Sequence, residues 1–265
     1  MKLAFSTISC PDYTIDEVAA AAARHDFDGV ELYALDGAVL SPELLVERRA
    51  ELTSALGSLP VVCINSFATL HSADDVARAA AEAAIRSTME SAAALGCSKV
   101  KAFGGEIPHQ PSPTVFDAIA ASIERVAEHG RSLGVGLVVE THDGFSKGAT
   151  LRELLDRVGR AGMDALWDVH HPYRMGESAE ETDRLIGDRV VHVHVKDAVR
   201  DGEGWDYRPL GDGELPVREV IRALARRGYD GYLSIDWEKM WHPELAGPEV
   251  VLPQYRAKLA EYVAE

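Results

Sequence analysis

Leu137-Val138-Val139-Glu140 is a short apolar run that ends in a carboxylate, and this arrangement recurs along the second half of the chain. Three later runs end in an acid or an imidazole, at Asp168, His194 and Asp236. Short continuous apolar runs are typical of buried parallel strands. An acid or an imidazole at the end of such a strand is costly to bury unless its charge is compensated, and a divalent metal ion is a natural compensator.

Strand-like runs alternate with longer amphipathic segments along the whole chain. The predicted strands are residues 3–6, 29–33, 61–66, 99–103, 135–140, 165–168, 190–195 and 232–237, and the clearest predicted helices are 73–95 and 113–133. This alternation favours parallel strands joined by right-handed crossovers. The length of 265 residues suits a (β/α)8 barrel, which typically needs about 250. We therefore predict an α/β fold, a single-domain (β/α)8 TIM barrel over residues 1–265, with an open doubly wound sheet as the alternative.

Composition and charge exclude several classes of protein. The formal net charge of −16 opposes nucleic-acid binding, which depends on Lys and Arg neutralising phosphates. Neither a membrane-spanning apolar run nor a signal peptide is evident, so we expect no membrane partner. The three widely spaced cysteines argue against a disulfide framework and favour the cytoplasm.

The four residues that end the late strands have the chemistry of a metal site. In a (β/α)8 barrel, the functional site lies at the carboxyl ends of the strands. Glu140, Asp168, His194 and Asp236 would all reach that end of the barrel, from the fifth to the eighth strand. Three carboxylates and one imidazole favour a hard divalent ion. We predict one such ion, with Mn2+ preferred and Mg2+, Co2+ or Zn2+ as alternatives.

The order and spacing of the motifs resemble the sugar phosphate isomerase/epimerase superfamily, the xylose-isomerase-like TIM barrels. The motifs are at residues 28–32, 138–143, 167–172, 192–197, 211–213 and 231–238. The resemblance implies one divalent metal held by Glu, Asp, His and Glu on strands 5 to 8. Glu140, Asp168 and His194 fit this pattern, but the eighth strand has Asp236 where the family usually has Glu. Glu238 follows two residues later on the same predicted face. We prefer Asp236 as the fourth ligand and keep Glu238 open.

The resemblance implies a metal-dependent isomerase or epimerase of a sugar, keto-sugar or cyclitol. Its metal would stabilise the enediolate left after proton abstraction, with Glu140 and either Asp236 or Glu238 as the catalytic acids. A lyase that dehydrates an inosose or 3-dehydroshikimate, or eliminates from an oxidised glycoside, is the alternative. Weaker alternatives are a nuclease similar to AP endonuclease IV, to which His71 and His109 would contribute, and a non-catalytic sugar-binding barrel.

Five further residues are candidates for contact with a small-molecule substrate: His171, Arg200, Lys196, His142 and Glu31. Lys196 would neutralise an oxyanion or pair with Asp197. We expect Glu31 to face the barrel mouth and accept a hydrogen bond there. The turn at residues 211–213 is a weak candidate for a phosphate cradle. A homo-oligomer is also expected, since such barrels commonly form dimers or tetramers.

Overall fold

A computed structural model describes residues 1–71, 74–108 and 111–265, and it confirms the predicted (β/α)8 barrel. Eight parallel strands close into a ring in chain order, and the first strand pairs with both the second and the eighth. The barrel strands are β1 Lys2–Ser6, β2 Gly29–Leu32, β3 Val61–Thr69, β4 Lys99–Phe103, β5 Gly136–Glu140, β6 Asp164–Asp168, β7 Val190–Val195 and β8 Tyr232–Ile235.

Helices on the outside of the barrel connect these strands. They are α1 Ile15–Arg24, α2 Pro42–Glu47, α3 Arg49–Leu56, α4 Asp75–Ala94, α5 Pro113–Leu133, α6 Gly148–Gly162, α7 His170–Arg174, α8 Ala179–Ile186, α9 Val217–Arg226 and α10 Pro248–Ala264. Capping boxes at Thr14 and Ser178 fix where α1 and α8 begin. Residue 73, the predicted start of α4, lies outside the described residues. In the described part of the chain, no helix has both the length and the apolar character needed to cross a bilayer.

Two strands end more than one residue away from their predicted ends: β3 runs to Thr69 and not to Ser66, and β8 ends at Ile235 and not at Trp237. Beyond Ile235 the backbone leaves the sheet. The Asp236 N–H still donates to the Val195 carbonyl at 2.9 Å, but the Trp237 N–H donates to the Ser9 hydroxyl at 3.2 Å. The alternation of faces within a strand therefore does not decide where Glu238 points.

The inside of the barrel has two layers of different character. Cys63, Val138 and Leu166 form a buried apolar cluster in the lower layer. Above it, at the carboxyl ends of the strands, lies a set of fully buried polar side chains: Glu31, Lys101, Glu140, Asp168, His192, His194 and Ser234. The barrel thus places charge at one end of its interior, where the strand ends converge.

A hairpin of Asp197–Asp201 and Gly204–Arg208 follows β7 at the same end of the barrel. The carboxylate of Asp197 accepts hydrogen bonds from the backbone N–H groups of Ala198, Gly211, Gly213 and Leu215, at 2.8–3.2 Å. A Cβ at Gly213 would lie 2.0 Å from the Asp197 carboxylate, so the turn closes tightly around it. The turn at 211–213 therefore holds an internal carboxylate, which corrects its interpretation as a phosphate cradle.

Asp197→Ala tests this anchor. Four backbone N–H groups, two of them buried, would lose their acceptor, and we expect the free energy of unfolding to fall by about 2–4 kcal/mol. Urea unfolding followed by circular dichroism measures the change. Asp212→Ala, at an exposed neighbour, is the matched control and should shift stability by less than about 0.5 kcal/mol. Equal effects of the two variants would contradict the anchoring role.

Candidate metal centre

Four side chains meet where strands β5 to β8 end. Glu140 and Asp168 are the last residues of β5 and β6, His194 precedes the last residue of β7, and Asp236 directly follows β8. One ligand atom from each lies within 4.8 Å of the others, and all four residues are buried. The strand ends therefore bring together the four residues that the sequence predicts as metal ligands.

His194 is the centre of this group, which we call the four-residue cluster (Glu140, Asp168, His194 and Asp236). Its Nδ1 lies 2.8 Å from Glu140 Oε1, 3.9 Å from Asp168 Oδ2 and 3.8 Å from Asp236 Oδ2. Burial opposes protonation of this ring. Glu31, Asp236 and Glu140 nevertheless outweigh burial and hold the pKa of His194 well above its ordinary value. The neighbouring carboxylates thus favour the protonated, positively charged form of His194.

Two buried lysines place positive charge beside the carboxylates of the cluster. The ammonium of Lys101 lies 2.8 Å from Glu140 Oε2. Burial opposes ionisation of Glu140, but Lys101 and His194 outweigh it and keep the pKa of this carboxyl well below its usual range. The ammonium of Lys196 lies 2.9 Å from Asp168 Oδ2 and 2.6 Å from Asp236 Oδ2. Each carboxylate of the cluster thus lies beside an ammonium group, and Glu140 is ionised.

The donor set of the cluster fits a divalent cation. Three carboxylates and a histidine nitrogen are ligands that Zn2+ and harder divalent ions accept. At metal–ligand bonds of about 2.1 Å, opposite ligands are roughly 4.2 Å apart, and the His194 nitrogen lies within that range of all three carboxylates. Such an ion would also compensate the negative charge of the carboxylates that the two lysines do not neutralise.

The structure separates the two acids that follow β8. Asp236 belongs to the four-residue cluster, whereas Glu238 does not. The Glu238 carboxylate lies 2.6 Å from the Lys196 ammonium and its side chain is 18% exposed, against 7% for Asp236. Lys196 thus bridges Asp168, Asp236 and Glu238. The alternative pairing of Lys196 with Asp197 is wrong, because the Asp197 carboxylate is bound by backbone N–H groups.

A cavity of about 180 Å3 opens beside the cluster. Its walls are formed by Ile8, Tyr33, Lys101, Phe103, Glu140, His142, Lys196, Asp236, Glu238 and Trp241. Three acids and two ammonium groups thus share this space with three aromatic side chains. Trp241 is 53% exposed at the rim, whereas Trp167 and Trp237 are buried in the core.

The structure brings His142 and His171 next to the cluster. Their ring centroids are 4.4 Å apart, and His171 Nε2 lies 3.9 Å from Asp168 Oδ2. Burial holds the pKa of His171 well below its ordinary value, so this ring is neutral. His142 lies in the cavity wall, and Phe103 packs on it at 4.8 Å.

Two of the predicted substrate contacts lie elsewhere. Glu31 is fully buried and accepts hydrogen bonds from His192, His194 and Ser234, so it does not face the mouth. Arg200 is exposed on the hairpin and does not line the cavity. Its guanidinium lies 6.0 Å from the centre of the Trp205 ring.

Of the two histidines of the nuclease alternative, His71 does not join the cluster. His71 is bound through Nδ1 to the Glu106 carbonyl at 2.6 Å, and His109 lies outside the described residues.

Tyr33 is a cavity residue that the sequence reasoning missed. Its hydroxyl accepts a hydrogen bond from Trp241 Nε1 at 3.1 Å, and burial raises its pKa to about 12. It therefore stays a neutral phenol. Its place at the end of the predicted strand 29–33 was the available signal, because strand ends face the mouth of the barrel.

Comparison with known proteins agrees with this geometry. The sequence model of the xylose isomerase-like TIM barrel family matches residues 19–254. This chain belongs to that family.

Curated members of the family match part of the chain. Fructoselysine 3-epimerase of Escherichia coli O157:H7 is 24% identical over 158 residues, which span 57% of this chain and 56% of the relative. Inosose dehydratase of Bacillus licheniformis is 31% identical over 134 residues, which span 43% of each chain. The aligned region thus spans about half the length of these relatives.

Solved structures of similar fold match the whole chain. A structure of the IolI protein with a bound zinc atom has a TM-score of 0.84 and 16% identity, covering 100% of this chain and 98% of that one. A 3-keto-D-glucoside 4-epimerase from E. coli has a TM-score of 0.76 and 18% identity, covering 100% of both chains. At these identities the likenesses show the fold alone, which extends over the whole chain.

Asp236→Asn and Glu238→Gln form a matched pair that tests the separation of the two acids. We expect Asp236→Asn to lower Mn2+ affinity more than about tenfold, because it removes charge from the four-residue cluster. Glu238→Gln removes the same charge outside the cluster and should change affinity less than about threefold. Calorimetric titration of the metal-free proteins measures both. The reverse ranking would make Glu238 the fourth ligand.

Proposed function

We propose that this chain is a divalent-metal-dependent isomerase or epimerase that acts on a sugar, keto-sugar or cyclitol. The observation that carries the proposal is the four-residue cluster beside a cavity into which Glu140, Asp236 and Glu238 all project. A metal-binding group and carboxylates able to move a proton thus face the same small space. The fructoselysine 3-epimerase relative is named for chemistry of this kind.

The cavity favours a neutral substrate of about the size of one monosaccharide. Its volume of about 180 Å3 is below the range of roughly 300–1,000 Å3 that is usual for drug-sized ligands. The two ammonium groups in its wall already pair with carboxylates, which leaves little positive charge for a phosphate. Tyr33, Phe103 and Trp241 offer apolar faces to the C–H groups of a sugar.

In this proposal, Glu140, Asp168, His194 and Asp236 hold the metal. A bound divalent ion supplies Lewis-acid polarisation of a substrate carbonyl and its neighbouring hydroxyl. Polarisation makes the hydrogen on the adjacent carbon acidic enough for a carboxylate to remove.

Glu140 and Glu238 are the carboxylates that we assign to proton transfer, since Glu238 borders the cavity without belonging to the cluster. Lys196, 2.6 Å from Glu238, holds that carboxylate in the cavity wall. Removal of the proton by one acid and its return by the other on the opposite face inverts one carbon. Return of the proton to the neighbouring carbon interconverts an aldose and a ketose.

A dehydratase on the same scaffold is the second candidate, and the inosose dehydratase relative favours it. Elimination begins with the same proton abstraction, but the leaving hydroxyl then needs a proton donor. His142 and Lys196 both border the cavity and both carry protons that such a step requires. Burial opposes protonation of His142, but the neighbouring Asp143, 2.7 Å away, outweighs it and raises the pKa.

Three finer points belong to the proposal. Mn2+ is the preferred metal, because three of the four donors are carboxylates. A cytoplasmic location fits three cysteines that are all free and buried. A homo-oligomer is common among barrels of this kind.

Hydrogen exchange with solvent tests the chemistry. The Mn2+-loaded protein is incubated in D2O with neutral keto-sugars and inososes, and the products are followed by NMR and mass spectrometry. We expect deuterium at the carbon beside the carbonyl, loss of exchange after treatment with EDTA, and recovery with added Mn2+. Deuterium in an epimer or isomer supports the first function, and loss of water supports the second. Absence of exchange across the panel by a metal-loaded protein would contradict both.

Glu238→Gln separates proton transfer from metal binding. This variant should keep its metal yet exchange hydrogen about 10²–10⁴-fold more slowly, because it lacks one of the two acids. Asp12→Asn, at an exposed acid outside the cavity, serves as the control and should exchange at the wild-type rate. A normal exchange rate in Glu238→Gln would transfer the role to Asp236.

A further inference from the structure

Glu31 occupies an unusual place for an acid, fully buried beneath the four-residue cluster. Both of its carboxylate oxygens lie 3.0 Å from His194 Nε2. Glu31 Oε2 also lies 2.9 Å from His192 Nε2 and accepts a hydrogen bond from the Ser234 hydroxyl at 2.9 Å. The carboxylate is thus fixed by side chains from two other strands, β7 and β8.

We propose that Glu31 is a positioning residue that fixes the ring of His194 with Nδ1 turned toward the metal. The inference rests on the proposed metal-dependent function and adds a residue that makes no contact with the metal or the substrate. Glu31 acts on the opposite side of the ring, through Nε2.

Hydrogen-bond chemistry gives Glu31 this role. An ionised carboxylate only accepts hydrogen bonds, so the His194 nitrogen beside it must carry a hydrogen. Nδ1 lies 2.8 Å from Glu140 Oε1 and therefore donates a hydrogen as well. A divalent ion would displace that hydrogen, because Nδ1 faces the four-residue cluster, and would leave the hydrogen that Nε2 donates to Glu31. Nδ1 is also the nitrogen within 3.9 Å of Glu140, Asp168 and Asp236. A carboxylate behind a histidine ligand orients the ring and increases its basicity.

Glu31, His192 and His194 also lie close enough together to hold an ion of their own. Their contacts of 2.9–3.0 Å are normal hydrogen-bond lengths, and Ser234 takes up a further lone pair of Glu31. His192 Nδ1 has no hydrogen-bond partner among the described residues, so Nε2 is its one bonded nitrogen. Hydrogen bonding accounts for this group, and we assign it no metal.

Glu31→Gln tests the inference, with Ser234→Ala as the matched control. Glutamine keeps the shape of the side chain and removes its charge, whereas Ser234→Ala removes a different partner of the same carboxylate. Zn2+ and Co2+ affinities are measured by competition with a chelator, and the visible spectrum of the Co2+ forms reports on ligand geometry. We expect wild type to bind one ion per chain, Glu31→Gln to bind it about 10–100-fold more weakly with an altered Co2+ spectrum, and Ser234→Ala to stay within about threefold.

A second measurement on wild type does not depend on how the variant folds. Nitrogen-15 NMR of the Zn2+-loaded protein should show His194 with hydrogen on Nε2 and metal on Nδ1. Metal on Nε2, or a folded Glu31→Gln protein with wild-type affinity and Co2+ spectrum, would overturn the positioning role while leaving the proposed function intact. Two ions per chain, one of them lost in Glu31→Gln, would make Glu31 a ligand and also overturn it. A wild-type protein that binds no divalent ion would overturn both proposals.

Discussion

Burial of negative charge at one end of the barrel is the constraint on which the rest of this structure depends. Glu31, Glu140, Asp168 and Asp236 are all buried. A buried carboxylate is tolerated only when opposite charge and hydrogen bonds compensate for the lost hydration. Two lysines, two histidines and a serine supply part of that compensation. The remaining negative charge is what makes the site attractive to a divalent cation.

The barrel topology explains how this charge is assembled. Parallel strands in chain order bring every carboxyl end to the same side, so residues far apart in sequence become neighbours. Asp168 pairs in register with His194, and His194 with Ser234, so adjacent strands deliver side chains at nearly the same height. Glu31 contributes from the other side of the ring, through β2. The polar layer is therefore a product of strand register, with the apolar layer below it providing the rigid base.

The sequence predicts the fold and the four-residue cluster well because both depend on local patterns. Apolar runs mark the strands, and a polar residue at the end of each run marks the mouth of the barrel. The surroundings of the cluster depend on depth and loop path, which such patterns do not contain. Glu31 lies below the mouth, and a hairpin places Arg200 outside the cavity. Asp197 is enclosed by a turn 14 to 16 residues further along the chain. Glu238 lies past the end of its strand, where alternation no longer applies.

We propose that a single divalent ion binds among Glu140, Asp168, His194 and Asp236. Anomalous diffraction from crystals grown with Mn2+ tests this proposal, because it locates the ion without reference to activity. We expect one strong peak per chain, bonded to His194 Nδ1 and to all three carboxylates, with Glu238 outside the coordination sphere. A peak bonded to Glu238 in place of Asp236, a peak between Glu31 and His192, or no peak in this end of the barrel would contradict it.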